Sequence, residues 1–75
     1  MPIVQIHLLE GRSNHKKEVL ISKVTQSIVE ALEVKEQSVR VILTEMPKQH
    51  FGIAGKSVRE METASFENSD TDLLN

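Results

Sequence analysis

No cysteine occurs in the 75 residues, so disulfides are excluded as a source of stability and the chain carries no redox signature. Aromatic side chains are nearly absent too: Phe51 and Phe66 are the only two, which leaves few bulky groups for a private core. The three histidines, His7, His15 and His50, sit in different segments and form no metal-ligand spacing. An excess of basic residues is also missing. The net charge is −2, and a nucleic-acid partner normally requires a basic face. No apolar run approaches the roughly 18 residues of a membrane span. The apolar start is short, contains Gln5 and His7 and has no basic leader, so no export signal is expected. A cytoplasmic protein with neither membrane nor nucleic-acid partners is the resulting expectation.

Chains of this size bury too little surface to be robust alone. Below about 70–80 residues the usual remedies are disulfides, a metal or oligomerisation. With the first two set aside, oligomerisation remains. Subunits are expected to share a core.

What the chain does contain is ordered along its length. Ile3 to Leu9 alternates as a β-strand and ends at Glu10-Gly11-Arg12. Ser13 or Asn14 can cap a helix that runs to about Glu33, where Leu20, Val24, Ile28 and Leu32 recur every four positions. Lys16 or Lys17 stands where a capping box would carry an acidic residue. Ser38 to Glu45 is rich in β-branched residues and reads as a second strand. Strand, long helix, strand predicts a βαβ unit with parallel strands. Met46 to Lys56 reads as a loop with a short hairpin around Phe51-Gly52-Ile53-Ala54, and Val58 to Glu62 as a helical turn. The expected division is a domain over residues 1–62 and a polar, acidic, mobile tail over 63–75.

Four residues can carry chemistry. Pro2 is a small second residue, so removal of Met1 would leave a secondary amine at the head of an ordered strand. Arg12 follows a glycine at the end of the first strand. Arg40 lies inside the second, where a charge needs a reason, and Phe51 is a large apolar residue in a glycine-containing loop. Each has a plain structural explanation as well. Arg12 can be solvated, Arg40 can pair with Glu45 or Glu36 or lay its stem along apolar surface, and Phe51 can be core.

In this order the motifs resemble the 4-oxalocrotonate tautomerases, also called 2-hydroxymuconate tautomerases. The resemblance is carried by Pro2 to Ser13, Ser38 to Met46 and His50 to Gly55, and it spans about residues 2 to 62. It implies a hexamer, a trimer of dimers, with active sites shared between subunits and no cofactor or metal. It implies Pro2 as general base and Arg12 as the group that binds the distal carboxylate of a dienoic acid. Arg40, from a neighbouring subunit, would hold the carboxylate and oxygen at the reacting end. Phe51 would form an apolar wall, with Leu9 and Ser38 at the pocket edge. The substrate implied is a small dienol carboxylate of aromatic-hydrocarbon breakdown.

The residue types suit that chemistry. A base that takes a proton from oxygen and returns it to carbon works best with a pKa near the ambient pH. A free α-amino group starts near 8. Neighbouring guanidinium groups and desolvation disfavour the ammonium form. Arginine stays cationic and grips a carboxylate with two parallel bonds.

Residues 52–55 read Gly-Ile-Ala-Gly where a closer match has Gly-Ile-Gly-Gly. A haloacrylate-hydrating branch uses a further arginine and a glutamate where this chain has Leu9 and Ile53, so dehalogenation is not expected. The alternatives are a phenylpyruvate-type tautomerase, which needs one arginine for a monoacid, and a catalytically silent oligomer that binds small acids.

Overall fold

A computed structural model describes the backbone of residues 1–67 and the side chains of residues 1–63. The alternating run of the sequence forms β1 (Ile3–Leu9), which pairs in parallel with β2 (Arg40–Met46). The register is continuous, from Ile3 opposite Arg40 to Leu9 opposite Met46. Between them runs α1 (Asn14–Leu32), whose first turn is capped by the Ser13 hydroxyl accepting from the Lys16 N–H at 3.2 Å. The helix ends at Glu33, which turns left-handed (φ 55°) while its N–H donates to the Val29 carbonyl.

Alternation gives the two-stranded sheet two unlike faces. Val4, Ile6, Leu8, Val41 and Leu43 are half-buried on one of them, and so are Leu20, Val24 and Ile28 on α1. Lys17 of α1 reaches Glu45 on that same sheet face at 3.0 Å, which fixes the helix over it. Among the described residues nothing covers the other face. Ile3 is 61% exposed and Ile42 45%, with Gln5, His7 and Thr44 between them.

Among the described residues only Val39 and Val58 are buried hydrophobics. The scarcity follows from the fold: one helix covers one face of two strands, and both strands keep a free edge. An isolated subunit therefore leaves much of its apolar surface in water, at roughly 25 cal/mol for each Å².

After β2 a short 3-10 turn (Lys48–His50) leads to the antiparallel hairpin of β3 (Gly52–Ile53) and β4 (Lys56–Ser57), then to α2 (Val58–Glu67). The hairpin loop is two residues long, Ala54-Gly55, both at positive φ (54° and 84°). That is the geometry of the I′ turns that match strand twist.

Two boundaries differ from the sequence expectation. β2 begins at Arg40, because Glu36–Ser38 closes a 3-10 turn in which the Ser38 N–H and hydroxyl both donate to the Lys35 carbonyl, at 3.0 and 2.8 Å. Beyond Val58 the helix continues past Glu62 to Glu67. Ser57 and Glu60 form a reciprocal capping box: the Ser57 N–H donates to Glu60 Oε1 and the Glu60 N–H to Ser57 Oγ, both at 3.1 Å. Of the tail expected over 63–75, residues 63–67 belong to α2 and residues 68–75 lie outside the described part.

Candidate active site

Parallel pairing decides where the candidate residues fall. Pro2 and Arg40 meet at the start of the sheet, where the Arg40 N–H donates to the Pro2 carbonyl at 3.0 Å. The Pro2 ring is half-buried. Ser38 stands two residues upstream of Arg40, with its hydroxyl occupied by Lys35 as described. The Arg40 guanidinium folds back over this turn and donates from Nη1 to the Gln37 carbonyl at 2.5 Å and the Val39 carbonyl at 3.4 Å. It pairs with neither Glu45 nor Glu36: Glu45 takes Lys17, and Glu36 accepts from Gln26 at 3.3 Å.

Leu9, Arg12 and Phe51 belong to the opposite end. Leu9 closes β1, and its carbonyl accepts from Arg12 Nη1 at 3.4 Å. Phe51 follows β2 by way of the 3-10 turn. It is 39% exposed, and its carbonyl accepts from the Val58 N–H at 2.8 Å. Glu10 knits this end together. Its N–H donates to the Met46 carbonyl at 2.9 Å, its Oε2 accepts from the Lys48 N–H at 3.2 Å, and Arg59 of α2 lies 3.8 Å away. Lys48 also forms an ion pair with Glu62.

Six residue steps along β1 separate the two ends, about 20 Å of extended chain. A small dienoic acid cannot touch both ends of one subunit. The structure thus pairs the backbones of Pro2 and Arg40, with Ser38 just upstream, and keeps Leu9, Arg12 and Phe51 at the far end of the sheet. Any site that uses all six draws on more than one copy of the chain. Among the described residues no three His, Asp or Glu side chains are placed to hold a metal ion, and no helix is long and apolar enough to cross a membrane.

The tautomerase enzyme family model matches residues 2–61 of the chain, from Pro2 through Met61. The chain belongs to the tautomerase family. A 2-hydroxymuconate tautomerase of Stutzerimonas stutzeri is 58% identical over 59 residues, which is 79% of this chain and 94% of that one. Among solved structures, a 4-oxalocrotonate tautomerase isozyme of Methylibium petroleiphilum superposes with a TM-score of 0.81 at 33% identity, covering 84% of this chain and 98% of that one. A heterohexameric 4-oxalocrotonate tautomerase of Chloroflexus aurantiacus gives 0.77 at 33% identity, over 81% and 98%. As a member of the family the chain is an isomerase that interconverts enol and keto forms. Its β-α-β frame with a C-terminal hairpin is the fold of these tautomerases.

The sequence reading missed one cluster near Arg12. His15, Lys16, Val19, Leu20 and Lys23 line a cavity with it. The signal was present in the first turns of α1, where Lys16 and Lys23 flank Val19 and Leu20 at i, i+3, i+4 and i+7 spacing.

Proposed function

We propose that this tautomerase ketonises 2-hydroxymuconate-type dienols to conjugated 2-oxo acids at a site assembled from the two ends of different subunits. The observation that carries the composite site is the separation of Pro2 and Arg40 from Arg12 and Phe51 along one sheet. The substrate class is supported by the 2-hydroxymuconate tautomerases to which the chain is similar. A hexameric assembly is supported by the bare sheet face and by the heterohexamer among its structural relatives. A cytoplasmic role in aromatic-hydrocarbon breakdown fits that substrate.

The mechanism needs Met1 removed, which converts the Pro2 nitrogen from an amide to a secondary amine. That amine takes the proton from the dienol hydroxyl, and the oxygen's electron pair forms the carbonyl as the double bonds shift. The resulting ammonium then delivers the proton to carbon, so atoms and charge balance without any second reagent. Arg40 of a neighbouring subunit, whose guanidinium lies over its own 3-10 turn, stabilises negative charge on the substrate oxygen and holds the adjacent carboxylate. Arg12 of another subunit holds the distal carboxylate, while Phe51 and Leu9 exclude water. The Ser38 hydroxyl serves the turn that presents Arg40, which makes it a positioning residue.

The test is ultraviolet detection of 2-hydroxymuconate ketonisation by protein whose mass corresponds to a chain that starts at Pro2. Rapid turnover is expected. Absence of turnover in the processed oligomer would overturn the substrate assignment.

A further inference from the structure

A cavity of about 520 Å³ opens beside Arg12 on the first two turns of α1. Its floor is Val19 and Leu20, and its rim is Arg12, His15, Lys16 and Lys23. No acidic residue lines it, and none occupies the first turn of α1. Among the described residues no carboxylate lies within ion-pair distance of these four rim groups. The contrast with the adjacent lysine is informative: Lys17 points to the sheet and pairs with Glu45 at 3.0 Å, while Lys16 and Lys23 turn to the cavity. Lys16, Val19, Leu20 and Lys23 form one stripe of α1, about 10 Å from end to end. Cation, apolar pair, cation is complementary to a carbon chain that ends in a carboxylate.

We propose that this cavity extends the substrate site beyond Arg12 and accepts the distal arm of carboxylate substrates longer than a six-carbon diacid. The arm's methylenes lie on Val19 and Leu20, and its terminal carboxylate pairs with Lys16 and Lys23. This inference rests on the proposed role of Arg12 in gripping the distal side of the substrate. It assigns the chain a tolerance for long dicarboxylates that the reaction itself does not demand.

Calorimetric titration of the assembled, processed protein with inert diacids tests it, using adipate and suberate, with hexanoate and octanoate as monoacid controls. Suberate is expected to bind roughly fivefold tighter than adipate, because only the longer chain carries its second carboxylate to Lys16 and Lys23. It should also bind tighter than octanoate. In a K16Q/K23Q double variant both advantages should vanish, because glutamine keeps the helix but removes the charge. Equal affinity of the two diacids for the native protein would overturn the proposal, as would an unchanged ratio in the variant. The titration reads binding without turnover, so a failure to ketonise 2-hydroxymuconate would count against the proposed function alone.

Discussion

The two ends of the sheet differ in how far side chains supplement the backbone ladder. The Pro2–Arg40 end is held by the backbone: the ladder begins there, the Arg40 N–H bonds the Pro2 carbonyl, and a 3-10 turn presents Arg40. The Leu9–Arg12–Phe51 end adds a web of side-chain ties to its own backbone bonds, the Glu10 N–H to the Met46 carbonyl and the Val58 N–H to the Phe51 carbonyl. Glu10, Lys48, Arg59 and Glu62 tie it to α2, and Ser57 and Glu60 cap that helix. Backbone bonds give the Pro2–Arg40 end a fixed geometry that few substitutions can disturb. Side-chain ties leave the opposite end open to variation, and that end carries the groups proposed to select the substrate.

The largest expected effect separates the ends by chemistry. Pro2→Ala should lower kcat by about 100-fold, because a mobile primary amine replaces the fixed secondary amine as the base. Size-exclusion chromatography should show the oligomer unchanged. Arg12→Gln should act through binding, raising KM for a dicarboxylate roughly tenfold, as loss of a charge-assisted hydrogen bond would. Its effect on a monoacid such as phenylenolpyruvate should be smaller. Steady-state kinetics on both substrates measure the split.

A smaller effect concerns the hairpin. Ala54 adopts φ 54°, a left-handed conformation that disfavours any residue with a Cβ. Ala54→Gly should therefore stabilise the fold by about 0.5–1 kcal/mol, read as a shift in the denaturation midpoint.

The smallest effect is acid sensitivity confined to α2. Glu60 is held below the ordinary carboxylate value of 4.5, first by the Ser57 N–H and then by the Ser57 side chain. Because its folded pKa is depressed, the capping contribution is present above pH 4.5 and is lost as pH falls through the lowered value. Amide protection factors over Val58–Glu62 should drop there, while protection of the Arg40 N–H stays level.

Much of this was legible in the chain. Alternation over Ile3–Leu9 and the four-residue period of Leu20, Val24 and Ile28 state the frame, since each records which face is covered, while Leu32 of the same period stays 55% exposed. The scarcity of aromatics foretold a thin core, and Val39 and Val58 bear it out. The Ser57-x-x-Glu60 box was equally visible but lay between a glycine-rich loop and a polar stretch, so the helix appeared shorter than it is. Two features have no local signature. The left-handed backbone at Ala54 is imposed by a two-residue hairpin loop and contradicts the residue's own preference. The distance between Arg12 and Pro2 is a property of pairing, which becomes visible only once β1 and β2 lie side by side.

The central claim is that one site takes its base from one copy of the chain and its distal arginine from another. Mixed oligomers of Pro2→Ala subunits with Arg12→Gln subunits, unfolded together and reassembled, test it most directly. Each variant alone has lost one half of every site. In a random one-to-one mixture about a quarter of composite sites regain both intact halves, because the two come from independent subunits of a symmetric assembly. Assayed well below KM, where Arg12→Gln sites run at about a tenth of native efficiency, activity towards 2-hydroxymuconate should therefore rise to roughly two to three times that of the Arg12→Gln parent. A mixture no more active than its parents, with mixed oligomers verified by mass, would contradict the account.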